Sequence, residues 1–173
     1  MTSKLTTVER TFFGRAVELA LEAERAGNLP IGCVVCRGNE IIAEGANSIW
    51  VPEFAPHRHA EMEALKRLSA DNRQAGENLA LYTTLEPCLM CAGAISLHKI
   101  GRVVFGSTDP IGGAVADIGR LPPYFARHRT TAQWIGPALP EACDQLYERA
   151  MALIWARDRA VDHLVDDSEA PGA

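Results

Sequence analysis

The chain of 173 residues has 47% hydrophobic and 23% charged residues, a composition typical of a globular domain, and it carries a net charge of −5. Because no apolar run approaches the roughly 20 residues of a membrane-spanning helix, we expect no membrane partner. The length fits one domain, predicted over residues 1–165, and residues 166–173 are predicted to form a disordered tail.

The cysteines and the charge distribution bear on location and partners. The start of the chain lacks the apolar segment of a secretory signal, and the five cysteines are an odd number, so we expect a reducing, cytoplasmic protein. The excess negative charge lies in residues 140–173, which hold three basic and eight acidic residues. Nucleic-acid binding draws on the neutralisation of phosphates, so this segment argues against a large polyanionic partner on its face of the molecule.

The N-terminal part is predicted to fold as a helix followed by a β-hairpin. Thr6 and Glu9 form a capping-box pattern, apolar residues then recur at helical spacing, and Gly27 ends the helix. The apolar run 31–36 indicates a buried strand, and residues 40–45 indicate its antiparallel partner.

The rest of the chain alternates between helices and strands, with one long loop over 107–129. A loop of this length in a compact domain is more often functional than idle. The order of elements predicts a three-layer α/β/α domain around a mixed sheet of about five strands. The later predicted elements are helices over 59–69, 88–98 and 140–163 and strands over 79–84, 102–106 and 131–135.

Two short segments have the residues of a catalytic zinc site. His59 lies two residues before Glu61, and Cys88 and Cys91 form a C-x-x-C pattern after Pro87. Pro87 favours the first position of a helix, which would put both cysteines on one face at its positive end. Three ligands leave the fourth position of Zn²⁺ to water, whose pKa falls from about 15.7 to roughly 7.

Glu61 decides between a catalytic and a structural interpretation of these residues. A structural zinc site takes four protein ligands, whereas His59, Cys88 and Cys91 are three, and a nearby carboxylate serves only a site that moves protons. Glu61 is therefore predicted to be the catalytic acid and base. A second C-x-x-C pattern, in the run 31–36, is predicted to be core because residues three apart on a strand face opposite sides.

Both segments and their surroundings resemble the zinc-dependent cytidine/deoxycytidylate deaminase superfamily, most closely its TadA-like tRNA-adenosine deaminases and guanine deaminases. The resemblance covers residues 8–109 and implies a cytidine-deaminase-like fold, zinc on His59, Cys88 and Cys91, and a homodimer. It also implies that Asn47 hydrogen-bonds the base and that the backbone N–H of Ala60 holds an exocyclic oxygen. The matching segments are 29–32, 44–47, 84–88, 91–95 and 101–106.

The substrate is predicted from the features that depart from this family pattern. Trp50 and Phe54, in the loop 47–58, are candidates to stack on a base, and Asp109 lies where the family loop approaches the substrate. The tRNA-acting members usually end in a basic helix, whereas residues 140–173 are acidic. We therefore expect deamination of a free amino-purine or related base or nucleoside. The first alternative is a tRNA-specific adenosine deaminase that binds an anticodon loop, and the second is a non-catalytic zinc interaction module.

Overall fold

A computed structural model describes residues 5–74 and 76–166, which form a mixed five-stranded sheet with helices on both faces. The strands are β1 (Gly32–Arg37), β2 (Glu40–Ala46), β3 (Leu79–Leu85), β4 (Arg102–Ser107) and β5 (Gln133–Ile135). The helices are α1 (Thr7–Arg25), α2 (Ala60–Lys66), α3 (Ala70–Gln74), α4 (Leu89–Leu97), α5 (Pro123–Thr131) and α6 (Pro140–Asp166), with short 3₁₀ turns at Gly76–Asn78 and Ile118–Arg120.

The sheet has the order β2-β1-β3-β4-β5, which confirms the predicted fold class. Its first half is antiparallel, because β1 pairs antiparallel with both β2 and β3. Its second half is parallel, since β4 pairs parallel with β3 and β5. The two halves meet at β3, which leads directly into α4.

Alternation along β1 divides the core into two layers. Cys33 and Val35 pack with α2 and α4 on one face of the sheet. Val34 and Cys36 pack with α1 on the other face. The two cysteines therefore face opposite sides of the sheet, as the strand period requires.

Gly45 brings α2 into direct contact with the hairpin. A Cβ at this position would lie 2.0 Å from the carbonyl oxygen of Ala60 and 2.5 Å from the amide nitrogen of Ala64. Only a residue without a side chain lets the first turn of α2 approach β2 so closely. Because Glu61 is on that turn, this contact determines how close Glu61 lies to the sheet.

Several boundaries differ from the prediction. The predicted helix over 59–69 is shorter in the structure, since α2 ends at Lys66, and the prediction missed α3. The Ser69 hydroxyl accepts a hydrogen bond from the Asn72 amide and so begins α3 as a separate helix. The predicted loop contains α5, since Pro123 occupies a first-turn position and does not break the helix. The last helix continues to Asp166, and residues 167–173 of the predicted tail lie outside the described residues. None of the described helices is both long and apolar enough to cross a membrane.

Candidate metal centre and active site

Three predicted metal ligands meet where two helices begin. His59 is the N-cap of α2, Cys88 is the N-cap of α4, and Cys91 lies in the first turn of α4. The Nδ1 atom of His59 is 3.6 Å from the sulfur atoms of both Cys88 and Cys91, and the three ligand atoms all lie within 4.8 Å of one another. Tetrahedral zinc with ordinary bond lengths separates nitrogen and sulfur ligands by roughly 3.6 Å. The three side chains therefore fit a zinc ion.

The helix α4 begins two residues later than predicted. Pro87 was expected at the first helical position, but the helix begins at Leu89 and Cys88 is its N-cap. Pro87 precedes the cap, and both cysteines still face the positive end of the helix. The Cys91 thiol and His59, working against burial, lower the pKa of Cys88 to about 4. A thiolate at this position is the form that binds a metal.

Glu61 is a buried carboxylate beside the metal ligands. It is only 3% exposed, and its Oε1 atom accepts a 2.9 Å hydrogen bond from the Thr83 hydroxyl. Its Oε2 atom lies 3.5 Å from the Cys91 sulfur. Burial raises the pKa of Glu61 above its ordinary value, which brings a carboxyl group closer to the range in which it can both take and give a proton near neutral pH.

A cavity of about 120 Å³ opens over these groups. One part of its wall comes from the site, namely His59, Glu61 and Cys88. The opposite part comes from α6, which is anchored to α1 by a 2.7 Å ion pair between Arg149 and Glu24. The residues that α6 contributes are Tyr147, Ala150, Met151 and Ile154. The other lining residues are Leu29, Ile31, Leu85, Glu86 and Asp109.

The predicted substrate contacts are divided between the cavity and other places. Asp109 lines the cavity, whereas Asn47, Ala60, Trp50 and Phe54 do not. Trp50 packs under the guanidinium of an arginine of α6, Arg157, 4.6 Å from the ring centroid, and Phe54 is 74% exposed. Asn47 is 1% exposed, and its Nδ2 atom has no hydrogen-bond partner among the described residues, so it retains a donor for a ligand. Ala60 is completely buried against β2.

Sequence reasoning missed the residue that holds the loop carrying Asp109. The Glu86 carboxylate accepts hydrogen bonds of 3.2 Å from the amides of both Asp109 and Val115. Gly113 permits this packing, because a Cβ there would lie 2.5 Å from the Glu86 carboxyl carbon. Glu86 is part of the matching segment 84–88, but nothing local in the sequence indicates that its partners are more than 20 residues away.

Sequence reasoning also missed the contribution of α6. Burial raises the pKa of the Tyr147 phenol, and the nearby charge of Asp109 raises it further. The apolar spacing of α6 predicted a helix face but not the site that this face covers.

The chain matches a family model described as the cytidine and deoxycytidylate deaminase zinc-binding region over residues 6–107. This match contains all three metal ligands and Glu61. It confirms the resemblance drawn from the sequence and the zinc cofactor that the resemblance implied.

The similar proteins include tRNA adenosine deaminases and a guanine deaminase. The tRNA-specific adenosine deaminase of Bacillus subtilis is 37% identical over 141 residues, covering 79% of this chain and 84% of that protein. A solved structure from a study of A-to-I editing by tRNA:A34 deaminases at the wobble position of transfer RNA has a TM-score of 0.62 and 26% identity, covering 79% of this chain and 99% of that one. A guanine deaminase structure from Bacillus subtilis has a TM-score of 0.50 and 34% identity, covering 60% and 66%.

Other relatives are longer than the shared region. The chain spans 58%, 48% and 62% of the proteins named tRNA-specific adenosine deaminase 2 from Xenopus tropicalis, Danio rerio and Xenopus laevis, respectively.

Proposed function

Because the chain belongs to the cytidine and deoxycytidylate deaminase family, whose members are zinc-dependent hydrolases acting on C–N bonds, we propose that it converts adenosine to inosine in a tRNA. The observation that carries this proposal is the buried Glu61 carboxylate beside three zinc-fitting ligands. The choice of adenosine in tRNA as substrate is supported by the tRNA-specific adenosine deaminase of Bacillus subtilis, of which the matched region covers 84%.

Glu61 and Thr83 have separate roles in the proposed proton transfer. When bound, the zinc lowers the pKa of water to about 7. Thr83 holds Oε1 of Glu61, which leaves Oε2 to move the two protons of the attacking water in turn. The first proton goes to the ring nitrogen, and the second goes to the departing amino group. Oxygen bonds to C6 of adenine as the C6–N bond breaks, and the products are inosine and ammonia.

The relatives favour a different substrate from the one predicted on charge. A free amino-purine was expected because residues 140–173 are acidic. However, α6 presents Tyr147, Ala150, Met151 and Ile154 to the cavity, and none of these side chains is charged at neutral pH. The net charge of the segment therefore says little about what enters the site.

A free amino-purine remains a second candidate for a structural reason. The cavity measures only about 120 Å³ and is bounded on one side by α6, which suits a small base better than a nucleotide within a folded RNA. The resemblance to the Bacillus subtilis guanine deaminase supports this candidate. The non-catalytic alternative has less support, because a structural zinc site has no use for a buried carboxylate such as Glu61 beside its ligands.

Ammonia release by the zinc-loaded protein tests the two substrates. The panel contains a tRNA anticodon stem-loop with adenosine at the wobble position, the same stem-loop with inosine, free adenosine, adenine and guanine. We expect turnover of the adenosine stem-loop and a loss of about 10²–10⁴-fold in the Glu61→Gln variant, with its zinc retained. The matched control is Glu63→Gln on the same helix, which pairs with Arg58 and should retain turnover. Turnover of guanine or adenine alone would replace the tRNA proposal with the second candidate.

A homodimer and a cytoplasmic location stay predictions. The dimer is supported by α4, on which Leu89 and Leu97 are 57% and 58% exposed, more apolar surface than a solvated helix usually presents. Light scattering coupled to size-exclusion chromatography measures the mass directly, and a monomer at micromolar concentration would contradict the prediction.

A further inference from the structure

A second and larger cavity, of about 480 Å³, lies at the far end of α4 from the metal ligands. Cys88 and Lys99 mark the two ends, about 16 Å apart along a helix of ordinary rise. The cavity shares no lining residue with the one above Glu61. Its volume is within the range of roughly 300–1,000 Å³ that binds small molecules.

The charged residues of this cavity favour an anion. Lys99 follows α4 and Arg127 lies on α5, and both line the cavity opposite a single acidic residue, Glu77. Two cations from separate elements that converge on one cavity are suited to a phosphate group.

Lys99 has an unusual backbone conformation. Its φ is 54°, in the left-handed region, directly after the C-cap of α4 at His98. Glycine is the usual residue at this position because a side chain there is disfavoured. The chain carries lysine instead, at a place where its side chain lines the cavity. A strained residue at a cavity is a reason to look for a ligand.

His128 forms part of the wall of the same cavity. Its side chain is 8% exposed, and its Nε2 atom lies 2.9 Å from the Ile100 carbonyl oxygen, so Nε2 carries the proton and donates it. The Nδ1 atom is then an acceptor, and it has no partner among the described residues. Because Nδ1 is enclosed by the protein, His128 contributes to the wall of the cavity and offers no hydrogen bond to a ligand.

Tyr124 provides a flat surface at the same cavity. Its ring is 59% exposed and is braced edge-on by Phe125, with the ring centroids 5.4 Å apart. Exposed aromatic rings beside basic residues are the platforms on which proteins stack nucleobases.

We propose that this cavity binds a nucleotide, with its phosphate at Lys99 and Arg127 and its base on Tyr124. The same chemistry describes a free mononucleotide and one nucleotide of an RNA strand. In either case the bound nucleotide is separate from the base that is deaminated above Glu61. The proposal does not depend on the identity of the deaminated substrate.

Calorimetric titration of the zinc-loaded protein with AMP tests the proposal, and Lys99→Gly is the decisive variant. Glycine accepts a φ of 54° without strain, so the variant should melt at the same temperature as the wild type or higher, while its Kd for AMP rises about tenfold or more. The matched control is Arg10→Gln, which removes an exposed positive charge on α1 and should bind AMP as the wild type does. Inorganic phosphate and adenosine should each bind more weakly than AMP.

Amide chemical shifts locate the bound AMP. Binding at the proposed cavity perturbs residues 96–101 and 123–128. A single-stranded oligoadenylate that binds there more tightly than AMP identifies RNA as the source, and equal affinity identifies the free nucleotide. Three results would overturn the proposal: shifts confined to 59–61 and 85–91, an unchanged Kd in Lys99→Gly, or no saturable binding of AMP and oligoadenylate. Ammonia release is not read in any of these measurements, so the deaminase proposal stands or fails separately.

Discussion

The hydroxyl of Thr83 donates a 2.9 Å hydrogen bond to Oε1 of Glu61, and the two side chains are 0% and 3% exposed. Thr83 lies on β3, where the antiparallel and parallel halves of the sheet meet. The orientation of the proposed proton carrier is therefore fixed by the most central strand of the fold, and the other carboxylate oxygen is left to act.

Replacement of Thr83 by valine removes this hydrogen bond with little change in shape. We expect kcat to fall on the order of tenfold, because a carboxylate without its outer hydrogen bond is no longer held in one orientation. KM should change little, since Thr83 does not line the cavity. Thr83→Ser keeps the hydroxyl and should restore most of the rate, and equal rates for the valine and serine variants would contradict this role.

Glu86 is predicted to act through the loop that it holds. The two carboxylate oxygens of Glu86 accept one hydrogen bond each, from the amides of Asp109 and Val115. A glutamine keeps only one of these oxygens, so it can accept only one of the two hydrogen bonds. We expect Glu86→Gln to lower kcat/KM on the order of tenfold with full zinc content, and Glu86→Ala to lower it further. Metal analysis provides the check. A variant that loses its zinc would show that Glu86 instead helps to position the metal ligand Cys88.

The contact between Gly45 and α2 predicts a large effect on stability. An alanine Cβ would have to displace the backbone of Ala60 and Ala64, so we expect Gly45→Ala to lower the free energy of unfolding by about 3 kcal/mol. Gly14→Ala is the matched control, since a Cβ at Gly14 meets nothing within 4 Å and alanine is favoured inside a helix by roughly 0.5–1 kcal/mol. Urea denaturation measures both variants. A Gly45→Ala protein as stable as the wild type would show that α2 can shift freely.

Glu9 predicts how stability depends on acid pH. Burial alone would raise its pKa, but hydrogen bonds from the Thr6 amide and the Arg102 guanidinium outweigh burial, and the pKa falls below its ordinary value of 4.5. A carboxyl group with a lowered pKa stabilises the folded state above its ordinary pKa, and this contribution disappears as the pH falls through the lower folded value. Between pH 4.5 and more acidic conditions, the wild type should therefore lose stability more steeply than Glu9→Gln. Parallel slopes in denaturation measured across this range would argue against the role of Glu9.

The features that could be predicted from the sequence are those that depend on neighbours along the chain. Thr6 and Glu9 form the predicted capping box, with both reciprocal hydrogen bonds present. Cys88 and Cys91 are one helical turn apart, so their convergence follows from local geometry alone. The alternation of strands and helices was also sufficient to predict a mixed sheet covered on both faces.

The features that could not be predicted depend on distant contacts. Thr83 reaches Glu61 across 22 residues of sequence, and the sheet that joins them is not visible in either segment. Trp50 packs against Arg157, a residue of the last helix, and nothing in the loop 47–58 indicates this contact; stacking of Trp50 on a base stays a prediction. α5 was hidden by Pro122 and Pro123, because two prolines signal a chain interruption equally well as a helix start.

The wall of the cavity above Glu61 comes from two parts of the chain, one inside the family match and one outside it. The metal ligands and Glu61 lie within the family match over 6–107, whereas the wall formed by Tyr147, Met151 and Ile154 lies beyond it. We therefore expect α6 to contribute to substrate selectivity without contributing a group to the proposed chemistry. Under the proposed function, substitutions in α6 should change which base is admitted while the proposed catalytic groups stay in place, so exchange of this helix with that of a relative is expected to transfer specificity.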